Sequence, residues 1–369
     1  MPQFVGENDS RVMTAVPALQ QNRHRQVLAE VVRAYIETGE PVSSRTIVRM
    51  HAEPLSSATI RNIMADLEDE GLLYQPHTSA GRVPTASAYR FYVEQIAAQA
   101  TPRTEDREWI RRELDAATTP EGMMERASNV LAAVSRGLGI IVSPPLSRTL
   151  VEHMRFLLLP DGRVLVVLVT SGGMTRDKCI RPERAFLQPE LDRIAEYLNS
   201  HYPRWTLEAI CADLEAQLER DRERYEKLAS GALMLCDPKL LGEDAERVVY
   251  IGGAAQFAAA AEFQNQEQLG ELLTTIEERD RLIALLSGCI EGPEPVHVEL
   301  GVEKMSNAGK HLALVSAPYS SGQQARRGDQ AQGTLGILGP MRMHYERVIT
   351  VVALMSQFFS EESKGDKLP

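Results

Sequence analysis

Apolar positions recur at helical spacing between Ser56 and Leu67, where Ile60, Ile63, Met64 and Leu67 fall at i, i+3, i+4 and i+7. Such a run is one buried stripe of an α-helix. The opposite face carries Ala58, Asn62 and Ala65, with Thr59 and Arg61 on its shoulders. These are short side chains with a few hydrogen-bonding groups, as suits a helix lying close to something polar. Pro54 breaks the preceding segment, Ser56 or Ser57 can cap the first turn, and Gly71 ends the helix. The acids Asp66, Glu68, Asp69 and Glu70 crowd its C-terminal end. An anion is therefore expected at the N-terminal half, where the helix dipole and the free N–H groups favour it.

The flanking patterns give this helix a context. Asn22 to Thr38 reads as a helix with Val27, Leu28, Val31, Tyr35 and Ile36 inward, ended by Gly39 and Pro41. Ser43 caps a second helix, Ser44 to His51, with Ile47 and Val48 inward. Two short helices joined by a turn, the second the reading helix, give helix-turn-helix order. Leu72–Gln75 and Arg82–Val83 read as short strands around the Pro76–Gly81 loop, a wing. Thr85 to Ala100 follows as a helix with Tyr89, Tyr92, Val93 and Ile96 on one side, and Thr101–Pro102 as a joint. Residues 1–21 carry no periodicity and two prolines, which predicts a disordered lead.

Beyond the joint the pattern is helical from Glu105 to about Gly137, with Trp109, Leu114, Val130, Leu131 and Val134 inward. Strand-like runs follow at Ile140–Val142, Met154–Leu159 and Arg163–Thr170, the last two joined by a tight turn at Asp161–Gly162. Strands resume only at Val296–Leu300 and His311–Ser316, and a helix from Pro340 to Phe359 closes the chain. One mostly antiparallel sheet with halves so far apart implies an insertion, placed at 189–288 and mainly helical. Within it, Leu269, Leu272, Leu273, Ile276, Ile283 and Leu286 form one stripe, and Leu207, Ile210, Cys211, Leu214 and Leu218 another. Each faces either its own core or a second copy of the chain. Val248–Ile251 reads as a strand within the insert.

Composition narrows the function. A chain of 369 residues holds two or three domains, and 43% apolar with 25% charged residues is ordinary for a soluble protein. The longest apolar runs fall far short of the roughly 20 residues of a spanning helix, and the N-terminus lacks a signal pattern, so a cytoplasmic address without a membrane partner is expected. The cysteines at 179, 211, 236 and 289 are far apart and read as buried thiols, with no metal site. A net charge of −11 disfavours indiscriminate nucleic-acid binding. From Asn22 to Arg90 eight acids balance eight arginines, and no lysine precedes Lys178. Arginine forks onto phosphates and guanine edges, so a neutral surface of this kind depends on specific contacts and dimerisation.

Candidate chemistry centres on the third helix. Asn62 and Arg61 are the expected base readers, since Asn pairs bidentately with adenine and Arg with guanine. Ser57 and Thr59 hold phosphates and Ala58 lies between them; the competing reading is an ordinary solvated face. Ser44 and Arg45, opening the second helix, are phosphate candidates. His77, Thr78, Ser79 and Arg82 are expected to touch backbone or minor groove, with Arg82 foremost, unless Gly81 serves only a turn. The run Gly333-Thr334-Leu335-Gly336-Ile337-Leu338-Gly339 lacks the Lys-Ser/Thr of a nucleotide loop and reads as structural tightness. No catalytic set emerges, and neither enzyme activity nor cofactor is expected.

Gly71-Leu72-Leu73-Tyr74-Gln75-Pro76-His77-Thr78-Ser79-Ala80-Gly81-Arg82-Val83-Pro84-Thr85, with Tyr89-Arg90-Phe91-Tyr92-Val93, resembles the wing of the HrcA family, bacterial heat-inducible transcription repressors. Gly336-Ile337-Leu338-Gly339-Pro340-Met341-Arg342-Met343-His344-Tyr345-Glu346-Arg347-Val348-Ile349 resembles that family's C-terminal signature, so the likeness runs from Asn22 to about Phe359. Gly301-Val302-Glu303-Lys304 and the long polar stretch from Ser320 to Gln332 depart from the family's pattern. The resemblance implies an α+β multidomain protein. Its parts are a winged helix-turn-helix with linker helix (22–103), a GAF-like α/β domain in two pieces (104–188 and 289–361), an inserted dimerising domain (189–288) and a tail (362–369). It further implies a homodimer on an inverted-repeat (CIRCE-type) operator in double-stranded DNA, kept active by the GroE chaperonin and lost on heat stress. The alternatives are a metabolite-responsive repressor using the GAF-like pocket, and an enzyme with an appended winged helix.

Overall fold

The computed structural model describes residues 22–362 apart from 51–54, 78–79, 98–101, 136, 172, 221, 238–246, 259–278, 288–294, 303–308, 310 and 321–331. The expectations for the lead, the tail beyond Glu362, Leu269 to Ile276, Cys289, Glu303–Lys304 and 321–331 lie outside those residues. The chain divides into two compact units, one ending at Gln99 and the other beginning at Ala100. Among the described residues no helix is long and apolar enough to cross a membrane.

In the first unit, α1 (Asn22–Thr38), α2 (Ser44–Met50) and α3 (Ser57–Asp69) are followed by β1 (Leu73–Tyr74), β2 (Val83–Pro84) and α4 (Ala86–Ala97). The predicted stripes meet in one core: Val27, Leu28 and Val31 of α1, Ile47 of α2, Ile60, Ile63, Met64 and Leu67 of α3, and Tyr89, Tyr92 and Val93 of α4 are all buried. Val48, expected inward, is 37% exposed. Seven residues make barely two turns, and Ile47 is the one residue of α2 that is buried. The β1–β2 ribbon is antiparallel, with Leu73 opposite Pro84, and Arg82 extends it by a bridge to Val42.

The second unit holds two sheets. The larger is antiparallel, in the order β8 (Val249–Gly252), β3 (Leu138–Val142), β11 (Gln332–Pro340), β10 (Leu312–Ser320), β9 (His297–Leu300). Leu138, Ile140 and Val142 pack with Phe257 of α10 (Ala254–Ala258) and with Leu282 and Leu286 of α11 (Arg279–Ser287). The alternate residues of β3 face α6 (Pro120–Ser135), which packs with α5 (Thr104–Asp115) and α12 (Tyr345–Glu362). The smaller sheet has the order β6 (Thr175–Ile180), β5 (Val164–Thr170), β4 (Leu150–Leu158), β7 (Trp205–Thr206). One of its faces buries Met154, Phe156, Val164, Val166 and Leu168 against α7 (Gln188–His201), α8 (Leu207–Arg220) and α9 (Arg222–Cys236).

This differs from the single interrupted sheet read from the sequence. The runs at 154–159 and 163–170 are strands, but they pair with each other and with β6, not with β9 or β10. Val249–Ile251 is also a strand, yet it pairs with β3 in the larger sheet. The chain thus leaves that sheet after Val142 and re-enters at Val249. The Leu207 to Leu218 stripe of α8 faces its own core. Pro340 ends β11, and the last helix starts at Tyr345. The glycines of β11 are tight as expected: a Cβ on Gly333 would enter the Tyr319 ring, and one on Gly336 would stand 2.8 Å from the Val315 carbonyl oxygen.

Two amide side chains of α7 close the outer edge of β4. Asn199 accepts from the Met154 N–H (2.8 Å) and donates to its carbonyl (3.0 Å), while Gln188 accepts from Leu158 N–H (2.8 Å) and donates to the Phe156 carbonyl (3.0 Å). They stand where a neighbouring strand would pair.

Among the described glycines of the larger sheet, Gly139, under α6, leaves the least room. A Cβ on Gly139 of β3 would run into the Ser128 carbonyl of α6, and one on Gly252 of β8 would stand 2.6 Å from the same oxygen. Backbone cannot yield as a side-chain tip can, and overpacking of a tight contact costs about 1–3 kcal/mol or more. Gly139→Ala is therefore expected to destabilise the full chain by that amount, read as a lower urea midpoint. An unchanged midpoint would show that α6 can move off the sheet freely.

Candidate nucleic-acid interface

The start of α3 is fixed by its cap. Ser56 is extended (φ −70°, ψ 149°) and its Oγ accepts from the Thr59 N–H at 3.0 Å. The Thr59 hydroxyl lies 2.9 Å from the same Oγ, so it shares in the cap. Ser43 does likewise for α2, accepting from the Thr46 N–H at 3.2 Å. The two helix starts are tied by a hydrogen bond between the Ser44 and Ser57 hydroxyls, 3.2 Å apart. Ser44 and Ser57, proposed separately as phosphate ligands, therefore form one polar step.

The end of α3 is a left-handed stop. Gly71 has φ +72°, its N–H bonds to the Glu68 carbonyl (2.9 Å), and Leu72 N–H reaches back to the Leu67 carbonyl (2.9 Å). This pairing satisfies the last carbonyls of a helix and needs glycine at the turn. With the axis fixed at both ends and Ile60, Ile63, Met64 and Leu67 buried, the remaining face has one direction to point. Ala58, Thr59, Arg61 and Asn62 are exposed and Ser57 half-buried; Arg45 on α2 is exposed as well.

Two of the acids at the other end are engaged inside the unit. Asp66 lies 3.4 Å from Nε2 of His24, a buried residue of α1. Glu68 holds the Arg82 guanidinium at 2.8 Å. The arginine expected to lead the loop contacts is thus mostly covered, its side chain 19% exposed and its backbone paired in both directions with Val42. Gly81 is needed for a different reason from the one expected. Its φ is not positive; a Cβ there would stand 2.6 Å from the Pro41 carbonyl and closer still to that of Val42. The loop between the strands is closed by Gln75, which donates to the Ala80 carbonyl (2.9 Å), and by the Ala80 N–H on the His77 carbonyl (2.8 Å). His77 is exposed near its tip; Thr78 and Ser79 lie outside the described residues.

Sequence reasoning missed His24 and Glu68 as the residues that orient α3 and the loop. The signal for His24 was present, because positions 24, 27, 28 and 31 share one stripe and a histidine in a buried stripe needs a partner. Glu68 carried none. Among the described residues there is no group of three or more His, Cys, Asp or Glu able to hold a metal ion.

Comparison with known proteins gives this surface a setting. The family model described as HrcA protein C terminal domain matches residues 121–349. A heat-inducible transcription repressor HrcA of Syntrophobacter fumaroxidans is 34% identical over 340 residues, covering 92% of this chain and 96% of its own. Those of Xylella fastidiosa (strain M12) and Geobacter sulfurreducens are 31% and 32% identical, covering 94% and 93% of this chain and 97% and 98% of theirs. A crystal structure described as that of a hypothetical protein shares the fold, with a TM-score of 0.59 and 24% identity over 94% of this chain and 99% of its own. The class is therefore that of transcription repressors rather than enzymes. Within it, the chain belongs to the HrcA family, and its function is that of a heat-inducible transcription repressor.

The cap gives a direct test of how α3 is held. Ser56→Ala removes the acceptor of the Thr59 N–H and is expected to cost about 1 kcal/mol, seen as faster hydrogen exchange at the Thr59 amide and a lower melting temperature of the full chain. Unaltered exchange at that amide would mean the cap does not hold the helix start.

Proposed function

We propose that the first unit is a winged helix-turn-helix and that the N-terminal half of α3 enters the major groove of an inverted-repeat, CIRCE-type operator. The observation that carries this reading is the separation of charge along α3. Arg61 and Asn62 are exposed on its leading half, whereas Asp66 and Glu68 on its trailing half are paired with His24 and Arg82. Repulsion between the acidic cluster and phosphate is thereby reduced and displaced from the contact. Arg61 and Asn62 read base edges. Ser44, Arg45, Ser57, Ala58 and Thr59 line the approach to the phosphates, and His77 with the neighbouring loop residues touches the flanking backbone. In this reading Arg82 sets the angle of the loop through Glu68.

Two-fold symmetry in the operator calls for two copies of the chain, with half-sites one or two helical turns apart. We take the larger sheet with its helices as the GAF-like domain and the smaller sheet with α7, α8 and α9 as the dimerising insert. The protein acts in the cytoplasm. The GroE chaperonin keeps it folded and active, so heat, which diverts chaperonin to unfolded clients, releases the chaperone genes.

Arg61→Ala and Asn62→Ala should each weaken binding to an inverted-repeat probe by roughly 10- to 100-fold in a gel-shift assay, and relax base preference at one position per half-site. Unchanged affinity and preference would remove both from the interface. After mild heat denaturation, chaperonin with ATP alone should restore binding. Restoration that requires a dialysable small molecule would favour a metabolite-responsive repressor.

A further inference from the structure

The smaller sheet buries one face only. On the other, three cross-strand rows run across β4, β5 and β6: Arg155, Val167 and Asp177 in the middle, Leu157, Leu165 and Cys179 toward the Asp161–Gly162 turn, and His153, Val169 and Thr175 at the far end. The centre-strand residues are half-buried and those on β4 and β6 are exposed, Leu157 by 48%. The pattern is an apolar stripe along β5 with a cation on one side of its midpoint and an anion on the other.

We infer that this face is where two copies of the chain meet, packed sheet on sheet about a two-fold axis running along β5. Resting on the dimer reading above, the inference adds which surface pairs and in what register. The rotation lays β5 on β5 and exchanges the flanking strands, so Arg155 stands over Asp177 of the second copy and Asp177 over its Arg155. The other rows match themselves in the same way, Leu157 over Cys179 and His153 over Thr175. Both charged residues lie one strand from the axis, about 5 Å. The roughly 30° angle usual between packed sheets moves them by only about 2.5 Å there, well within the reach of an arginine. A face complementary to itself under one rotation is what a two-fold contact requires.

Edge-to-edge pairing of the same sheet is disfavoured at both ends. The β4 edge is closed by Asn199 and Gln188 over Met154 to Leu158. The β6 edge carries Arg176, Asp177 and Lys178 in succession, and charged edges resist strand addition. Nine side chains are fewer than the 20–30 per partner of a standard interface, so the face is its apolar centre and the bordering turns supply a rim.

The test is a charge exchange in the full-length chain, followed by sedimentation equilibrium with circular dichroism as a check of folding. Arg155→Asp alone sets two acids against two, and Asp177→Arg alone sets two arginines against two. Each should weaken self-association at least tenfold. Mixing the two variants should give a one-to-one heterodimer, and the double variant should recover wild-type association. Recovery on mixing cannot come from a misfolded chain. A dimeric wild type whose single variants associate normally would overturn the face and leave the dimer reading standing. A wild type that stays monomeric would overturn both, and would hand the face to a different macromolecule.

Discussion

The second unit rests on a five-residue strand buried on both sides. β3 has β8 on one edge and β11 on the other, so two segments that follow it by more than a hundred residues are both registered against it. On one face Leu138, Ile140 and Val142 enter the core with α10 and α11; on the other Gly139 admits the backbone of α6. A side chain in place of that hydrogen would hold the helix off the strand and open the sheet to water on that face. The strand's position also allows the rest of the unit to be discontinuous. Because the chain returns to the same strand at Val249, about a hundred residues between can build a separate sheet without disturbing the larger one.

The first unit follows the same logic at smaller scale. Burying Ile60, Ile63, Met64 and Leu67 leaves Arg61 and Asn62 no other direction than outward, and the Ser56 cap with the Gly71 stop prevents the helix from shifting along its axis. The His24–Asp66 contact and the Glu68–Arg82 ion pair then connect α3 to α1 and to the β-ribbon. Each joins partly covered groups and contributes little as free energy. Their effect is positional: they hold acids and arginine to each other that would otherwise compete for, or repel, the same ligand. A protein of net charge −11 can in this way present a local surface suited to an anion.

Local sequence carried more of this than global charge did. The spans of α1 and α3, the Ser56 cap, the Gly71 stop and the exposed faces were legible because helical periodicity and capping act within about seven residues. Val48 was misplaced because a seven-residue helix has too few turns to separate its faces by period. Arg82 is expected to lead the loop contacts because nothing local announces that Glu68, next to the last residue of α3, will reach it. Gly81 serves the close approach of the Pro41–Val42 backbone, about forty residues away in the chain, and not the turn that was the alternative reading of its loop.

The amino-acid order by itself determined many of the helices and strands, though not β6 or β11, and also which side of α3 is apolar and, through two long motifs, the family. Only the tertiary structure decided that β4 and β5 belong with β6 rather than with β9 and β10, that Val249–Gly252 returns to β3, and that one face of the smaller sheet is left uncovered. Periodicity reports the environment of a residue along its own segment, whereas the partner of a strand edge or of a charge is chosen by packing among segments distant in sequence. Many pairings satisfy the same alternation, and the one adopted is the one in which α6 can lie against glycine.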